Sequence, residues 1–201
     1  MVPTDRAGSS TVAAVERADV DIAARLARHR HHPGVRLVGR LSEVGDQPPL
    51  AALSCGVMAY GLVAGNGRAT RAGVAMLGSL LAAILVKTVL KRSLSRTRPH
   101  VLLEEGQYEV RPFGPNKGSW QSFPSGHTAG SVACARAFAR FYPDLRAPAY
   151  ASAAFIGLAQ VPRGAHYPLD VAVGVGIGLA AERLVHAVMP ARDPDAATPE
   201  A

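Results

Sequence analysis

Residues 73–90 read GVAMLGSLLAAILVKTVL, eighteen positions with a single charge at Lys87. A bilayer core is about 30 Å thick, and a spanning helix wants ~20 mainly apolar residues, with ~17 as a lower bound. Four more apolar runs accompany this one: Leu50–Ala64, Ala129–Tyr142, Ala147–Val161 and Leu169–Met189. Of these, 169–189 also reaches spanning length, and the other three do so only with their polar flanks. Leu50–Ala64 and Ala147–Val161 hold no charge. A soluble surface helix opposes an apolar stripe to a polar one. These runs are apolar all round, which disfavours the alternative of a soluble, Ala-rich bundle. The expectation is an all-α polytopic membrane bundle over 49–190, with about five transmembrane helices.

The polar residues crowd into three other places. Residues 1–12 and 191–201 are rich in Pro, Ala, Ser and acids, the composition of disordered ends. Between 13 and 48, apolar residues such as Val20, Ile22, Leu26 and Leu37 alternate with Arg and His. That pattern predicts an amphipathic helix at the membrane interface, broken near Pro33-Gly34. Met1–Asp19 has no apolar core of the signal-peptide kind, so the first membrane helix is expected to target the chain. Segment 92–123, with Tyr108 and Trp120, is too polar to cross a bilayer and reads as a long structureless lid or binding loop.

The net charge of +7 comes from cations spread over ends and loops, without interleaved aromatic residues. That distribution suits membrane lipids as partners and argues against nucleic acid. Cys55 and Cys134 lie inside apolar runs and read as small buried hydrophobes. His29-Arg30-His31-His32 lacks a nearby acidic or Cys partner and reads as a solvated stretch; no metal-ligand spacing is found. Gly126/Gly130 and Gly174/Gly178 are small-xxx-small pairs that let helices approach closely in lipid.

Three short clusters lie where apolar runs begin or end, and the chain direction brings them to one side. Lys91 and Arg98 follow the run ending at Leu90, and Pro99 pushes Arg98 out of helical geometry. A bent Arg offers a planar fork to phosphate oxygens and Lys91 a point charge, whereas Lys87, Arg92 and Arg96 read as cations that snorkel to headgroups. Pro124-Ser125-Gly126-His127 opens the next run: Ser125 is a good N-cap, Gly126 admits a ligand close to the backbone, and His127 is placed to protonate a leaving oxygen. His166 and Asp170, four apart, begin the last run; a carboxylate on one ring nitrogen fixes the tautomer and frees the other to attack.

In this order and spacing, Lys91-x6-Arg98-Pro99, Pro-Ser-Gly-His and Gly-x-His-Tyr-Pro-x-Asp resemble the type 2 phosphatidic acid phosphatase and vanadium haloperoxidase superfamily, over about residues 80–185. The resemblance implies a metal-independent phosphatase with no cofactor. His166 would be the nucleophile that forms a phosphohistidine, His127 the general acid and base, and Asp170 the residue that orients His166. Lys91, Arg98, Ser125 and the Gly126 amide would hold the phosphate oxygens. In one respect this chain departs from the pattern. The family's third motif opens with Ser-Arg, and here those positions are Ala159 and Gln160. Arg163, three residues on, is the expected replacement for the missing guanidinium, with Gln160 a neutral donor beside it.

The substrate so implied is a lipid phosphate or diphosphate, phospholipid or polyprenyl, handled by an integral protein of a bacterial inner membrane. Five crossings place the N-terminus on the site's side. More Arg and Lys lie on that side, which tilts toward a cytoplasmic site, while many bacterial members of the family face the periplasm; the sequence leaves the face open. Two other functions stay open: a catalytically weak lipid-phosphate binder, suggested by Gln160, and a vanadate-dependent haloperoxidase, disfavoured by the apolar runs.

Overall fold

A computed structural model describes residues 6–189. Two helices, α1 (Arg6–Ala27) and α2 (Pro33–Leu41), lead through a one-turn 3-10 segment, Ser42–Gly45, into α3 (Gln47–Val63) and α4 (Gly67–Ser93). A short strand β1 (Leu94–Arg96), α5 (Pro99–Glu105) and β2 (Val110–Pro112) follow. The chain closes with α6 (Gly126–Phe141), α7 (Arg146–Ala159) and α8 (Pro168–Val188). Of the end expected to be disordered, 1–12, residues 6–12 form the start of α1, while 1–5 lie outside the described residues, as 191–201 do.

Each apolar run becomes a helix, and three of the five starts are marked by a residue that accepts an orphan N–H of the first turn. Asp46 accepts from Gln47 N ahead of α3, Asn66 from Ala69 N ahead of α4, and Ser125 from Thr128 N ahead of α6. His32, of the histidine run, caps α2 by accepting from Gly34 N. The amphipathic stretch is therefore two helices, separated by a turn over 28–32 that ends next to the expected break, with Pro33 opening α2.

α6 lies at the centre and packs on α3, α4, α7 and α8. Its contacts are built from small residues: Ala129 and Ala133 meet Ala83, Ile177 and Ala181, while Cys134 and Ala137 meet Leu80, Met76 and Leu50. A Cβ on Gly178 would stand 2.6 Å from Ala129 O, and one on Gly174 2.8 Å from Ser125 O, so α8 rides directly on the α6 backbone. Gly130 differs from the expected pairing. It faces the flexible tips of Leu50 and Leu80, and Gly126 faces the Lys87 side chain. At the far end, Arg136 and Arg140 of α6 both clamp the buried carboxylate of Glu182 on α8.

Leu81, Leu85, Val89, Leu158, Leu184 and Val188 point outward, an apolar belt rather than a soluble surface. α4 and α8 are long and apolar enough to cross a membrane, and only about a third of each such stretch is buried. α3, α6 and α7 have 17, 16 and 14 residues. Two sequence expectations change. Segment 92–123 is not structureless: β1 and β2 pair antiparallel with Arg96 opposite Val110, and α5 stands between them. Cys55 is exposed, because α3 turns Leu50, Ser54 and Gly61 inward and leaves Cys55 on its outer side.

The α6–α8 contact makes a checkable contrast. Gly178→Ala forces the two backbones apart and is expected to destabilise by about 1–3 kcal/mol. Gly176→Ala, whose Cβ would meet nothing within 4 Å, should be neutral or stabilise by up to about 1 kcal/mol as a better helix former. Thermal unfolding in detergent separates the two variants.

Candidate active site

All three clusters converge at the end of the bundle where α4 finishes and α6 and α8 begin. The join is made by backbone as much as by side chains. Ser125 N donates to Asp170 O at 3.0 Å, and Lys91 Nζ donates to Gln121 O at 2.6 Å. Arg98 takes the extended geometry expected before Pro99, and serves as the N-cap residue of α5. Its Nε has no hydrogen-bond partner, and burial, then the charge of Arg163, holds its pKa below the usual guanidinium value.

His166 is buried, and its Nδ1 lies 2.5 Å from Ser122 O. A carbonyl can only accept, so Nδ1 carries the proton and Nε2 keeps its lone pair. Asp170 does not bond the ring directly as expected: its Oδ2 is 3.8 Å from His166 Nδ1, beyond hydrogen-bond reach. Its carboxylate accepts instead from Ser122 Oγ at 2.6 Å, Tyr167 N at 2.9 Å and Arg96 NH1 at 2.9 Å. Asp170 thus orients the histidine through Ser122, and caps α8 at the same time. Ser122 gave no signal in the sequence, because its partners His166 and Asp170 lie 44 and 48 positions away.

His127 stands in the first turn of α6 with Nε2 3.5 Å from Glu43 Oε2. The other oxygen of Glu43 is 2.5 Å from Arg163 NH2, and Arg163 NH1 donates to Ser42 Oγ at 3.3 Å. α7 ends at Ala159, and the turn after it carries Arg163 to this spot, within electrostatic reach of Arg98 and His127. Gln160 lies elsewhere. It is buried, its Nε2 donates to Ile156 O at 2.8 Å and Ser42 Oγ at 3.4 Å, its Oε1 has no partner among the described residues, and its backbone carbonyl accepts from the Ala165 and His166 amides. The expected neutral donor is spent within the fold, since the last turn of α7 directs it inward.

Three cations set aside in the sequence divide in the structure. Arg92 is exposed, in keeping with a headgroup contact. Lys87 is not: its Nζ lies 3.4 Å from where a Cβ of Gly126 would be, at the mouth of α6. The i, i+4 spacing from Lys91 was the available clue. Arg96 is buried and carries the Asp170 carboxylate, its own charge kept by Asp170 and Asp19 against the cost of burial. Glu43, Asp46 and His127 place ligand atoms within 4.8 Å of one another, but Glu43 already serves Arg163.

Burial pushes the His166 pKa down to about 4, with Asp170 opposing and the charges of Lys91 and Arg98 adding to the shift. The imidazole is therefore neutral from pH 8 down to about 5, and protonates only as pH falls toward 4. Nitrogen-15 spectra of histidine-labelled protein should show one ring fixed as the Nδ1–H tautomer across that range, absent in His166→Ala. A midpoint near 6.5 for that ring would contradict the geometry described.

Known proteins converge on the same reading. The PAP2 superfamily family model matches residues 72–194. A lipid A 1-phosphatase of Rhizobium etli is 37% identical over 94 residues, which make up 47% of this chain and 40% of that protein. One from Porphyromonas gingivalis is 30% identical over 82 residues, 39% of this chain and 18% of its own. The chain thus spans well under half the length of these relatives. Among solved structures, the transmembrane PAP2 type phosphatidylglycerolphosphate phosphatase of Bacillus subtilis shares the fold, with a TM-score of 0.67, 24% identity, and coverage of 90% of this chain and 89% of that one. Aquifex aeolicus LpxE aligns with a TM-score of 0.56 and 25% identity over 82% of this chain and 92% of that one. With three motifs gathered at one end of a helical bundle and the family match covering more than half of its length, this chain belongs to the PAP2 superfamily.

Proposed function

We propose that the protein is an integral membrane phosphatase that hydrolyses a lipid phosphate or diphosphate through a phosphohistidine on His166. The observation that carries this reading is the state of His166: Nδ1–H is held by Ser122 O, and Nε2 makes no hydrogen bond among the described residues and is close to the charges of Lys91 and Arg98. A neutral ring with one free lone pair among fixed cations is what attack on a phosphate anion needs.

The chemistry balances without another reactant than water. His166 Nε2 forms a bond to phosphorus as the bond from phosphorus to the lipid oxygen breaks, and His127 gives its proton to that oxygen. Water then attacks the phosphohistidine, His127 takes a proton from it, and inorganic phosphate leaves as the P–N bond breaks. Lys91, Arg98 and the start of α6, with Ser125 and Gly126, hold the oxygens while charge builds. Arg163 supplies the further guanidinium once the substrate displaces Glu43, an anion that already bridges Arg163 and His127. Five bundle helices, α3, α4, α6, α7 and α8, would form the membrane part, with α1 and α2 at its interface.

The relatives suggest lipid A and phosphatidylglycerophosphate as first substrates, and phosphatidate and undecaprenyl diphosphate complete the panel. Phosphate release by detergent-purified protein without added metal should be found on at least one of them, and His166→Ala should lower it by on the order of a thousandfold or more. Arg163→Ala should lower kcat/KM by about 100-fold, the usual cost of one oxyanion donor. Full activity in His166→Ala would refute the mechanism. A folded wild-type protein silent on the whole panel would favour a lipid-phosphate binder.

A further inference from the structure

α1 lies outside the residues that match the family, yet it reaches the centre of the site. Asp19 is 2% exposed at its side chain, and Oδ2 is 2.7 Å from Arg96 NH2. Arg96 NH1 is in turn 2.9 Å from Asp170 Oδ1, and the guanidinium lies 3.8 Å above the centre of the Tyr167 ring. The second oxygen of Asp19 accepts from Leu169 N at 2.8 Å, in the first turn of α8 and one residue before Asp170. A neighbouring support comes from Tyr108, whose hydroxyl accepts from Arg96 NH2 at 3.1 Å and donates to Glu16 of α1 at 2.6 Å.

We infer that Asp19 is a positioning residue of the catalytic centre, acting through Arg96 and the Leu169 amide on Asp170 and so on His166. Two routes make the connection. Through side chains, Asp19 fixes the guanidinium that holds Asp170, and Asp170 accepts from Ser122 Oγ. Through backbone, Arg96 O accepts from Ser122 N at 3.0 Å, so the strand that carries Arg96 also sets the carbonyl on which His166 rests. A guanidinium this deeply buried needs both of its carboxylates, since removal of one partner leaves a buried charge uncompensated. With Asp19 gone, Arg96 would turn toward other acceptors, and Asp170 and Ser122 would follow it. α1 is then more than the interfacial helix expected from its pattern: it completes the site.

This assignment rests on the phosphatase reading of His166 and Asp170, and its test reads both activity and the ring itself. In full-length protein, Asp19→Asn keeps the volume and an acceptor for Leu169 N while removing the charge; Asp19→Ala removes both. Each should lower kcat about 10- to 100-fold with KM within about threefold. Asp19→Ala combined with Arg96→Met should be no slower than Arg96→Met alone, as expected of residues on one path. Asp21→Asn, on the exposed side of α1, should match wild type. Independently of turnover, the His166 Nδ1 proton resonance should move in Asp19→Asn and stay in Asp21→Asn. Folded Asp19 variants with wild-type kcat and an unmoved resonance would overturn the proposal. So would additive losses in the double variant, or failure of both Asp19 variants to fold, which would assign Asp19 to stability alone. A silent wild-type protein whose resonance still moves would sink the phosphatase reading and leave the positioning network standing.

Discussion

The buried Asp170 carboxylate is the constraint around which the rest is arranged. It is fully out of solvent and accepts from a guanidinium, a hydroxyl and a backbone amide. A carboxylate in that position is tolerable only when its oxygens are satisfied, because desolvation of the charge is otherwise far costlier than the fold can bear. The three donors come from β1, from the segment before α6 and from the turn into α8. Satisfying one charge therefore fixes three chain segments, and the same residue's carbonyl holds Ser125 N at the start of α6. The proposed nucleophile inherits its position from this arrangement rather than from a direct bond to Asp170.

Such precision needs rigid helices behind it, and the core supplies them by closeness rather than by bulk. Ala, Gly and Ser at the contacts of α6 let four neighbours approach it, with Gly174 and Gly178 against its backbone. Between helices surrounded by lipid, packing of this kind is a main source of association, since burial of apolar surface gains little when lipid tails are equally apolar. The Glu182 clamp to Arg136 and Arg140 ties α6 to α8 at the other end. α6 and α8 are thus fixed at both ends, and the site lies where both helices present their N-termini, the end that favours a phosphate.

Much of this was legible in the sequence because it follows from local rules. The five apolar runs became α3, α4, α6, α7 and α8, Ser125 caps α6 as expected, and Arg98 is extended because Pro99 follows it. What was not legible depends on partners far away in the chain. Nothing near Arg96 distinguishes it from Arg92, and only Asp19, 77 positions earlier, and Asp170, 74 later, make it a core residue. Ser122 meets His166 by its carbonyl and Asp170 by its hydroxyl, partners 44 and 48 positions away. Segment 92–123 read as structureless because its strands are three residues long and pair across α5, too short for any periodicity to register.

The departure at Gln160 is the place where sequence and structure together say more than either alone. A neutral side chain at a position that resembles a guanidinium site invites the idea that it substitutes weakly for the charge. The structure directs it inward, where its Nε2 donates to Ile156 O and Ser42 Oγ, while the residue's backbone carbonyl accepts from the His166 amide. The side chain at this position faces the protein interior, beside the turn that leads to the proposed nucleophile. Arg163, three residues on, is brought near Arg98 and His127 by that turn and meets Glu43 there. Because Ser42 Oγ contacts both Gln160 and Arg163, the two changes are mechanically one: the segment between α2 and α3 holds the turn and provides the anion that keeps Arg163 company. A guanidinium on a loop needs a surface to lean on, and here the segment between α2 and α3 supplies it, as α1 supplies Asp19 to Arg96.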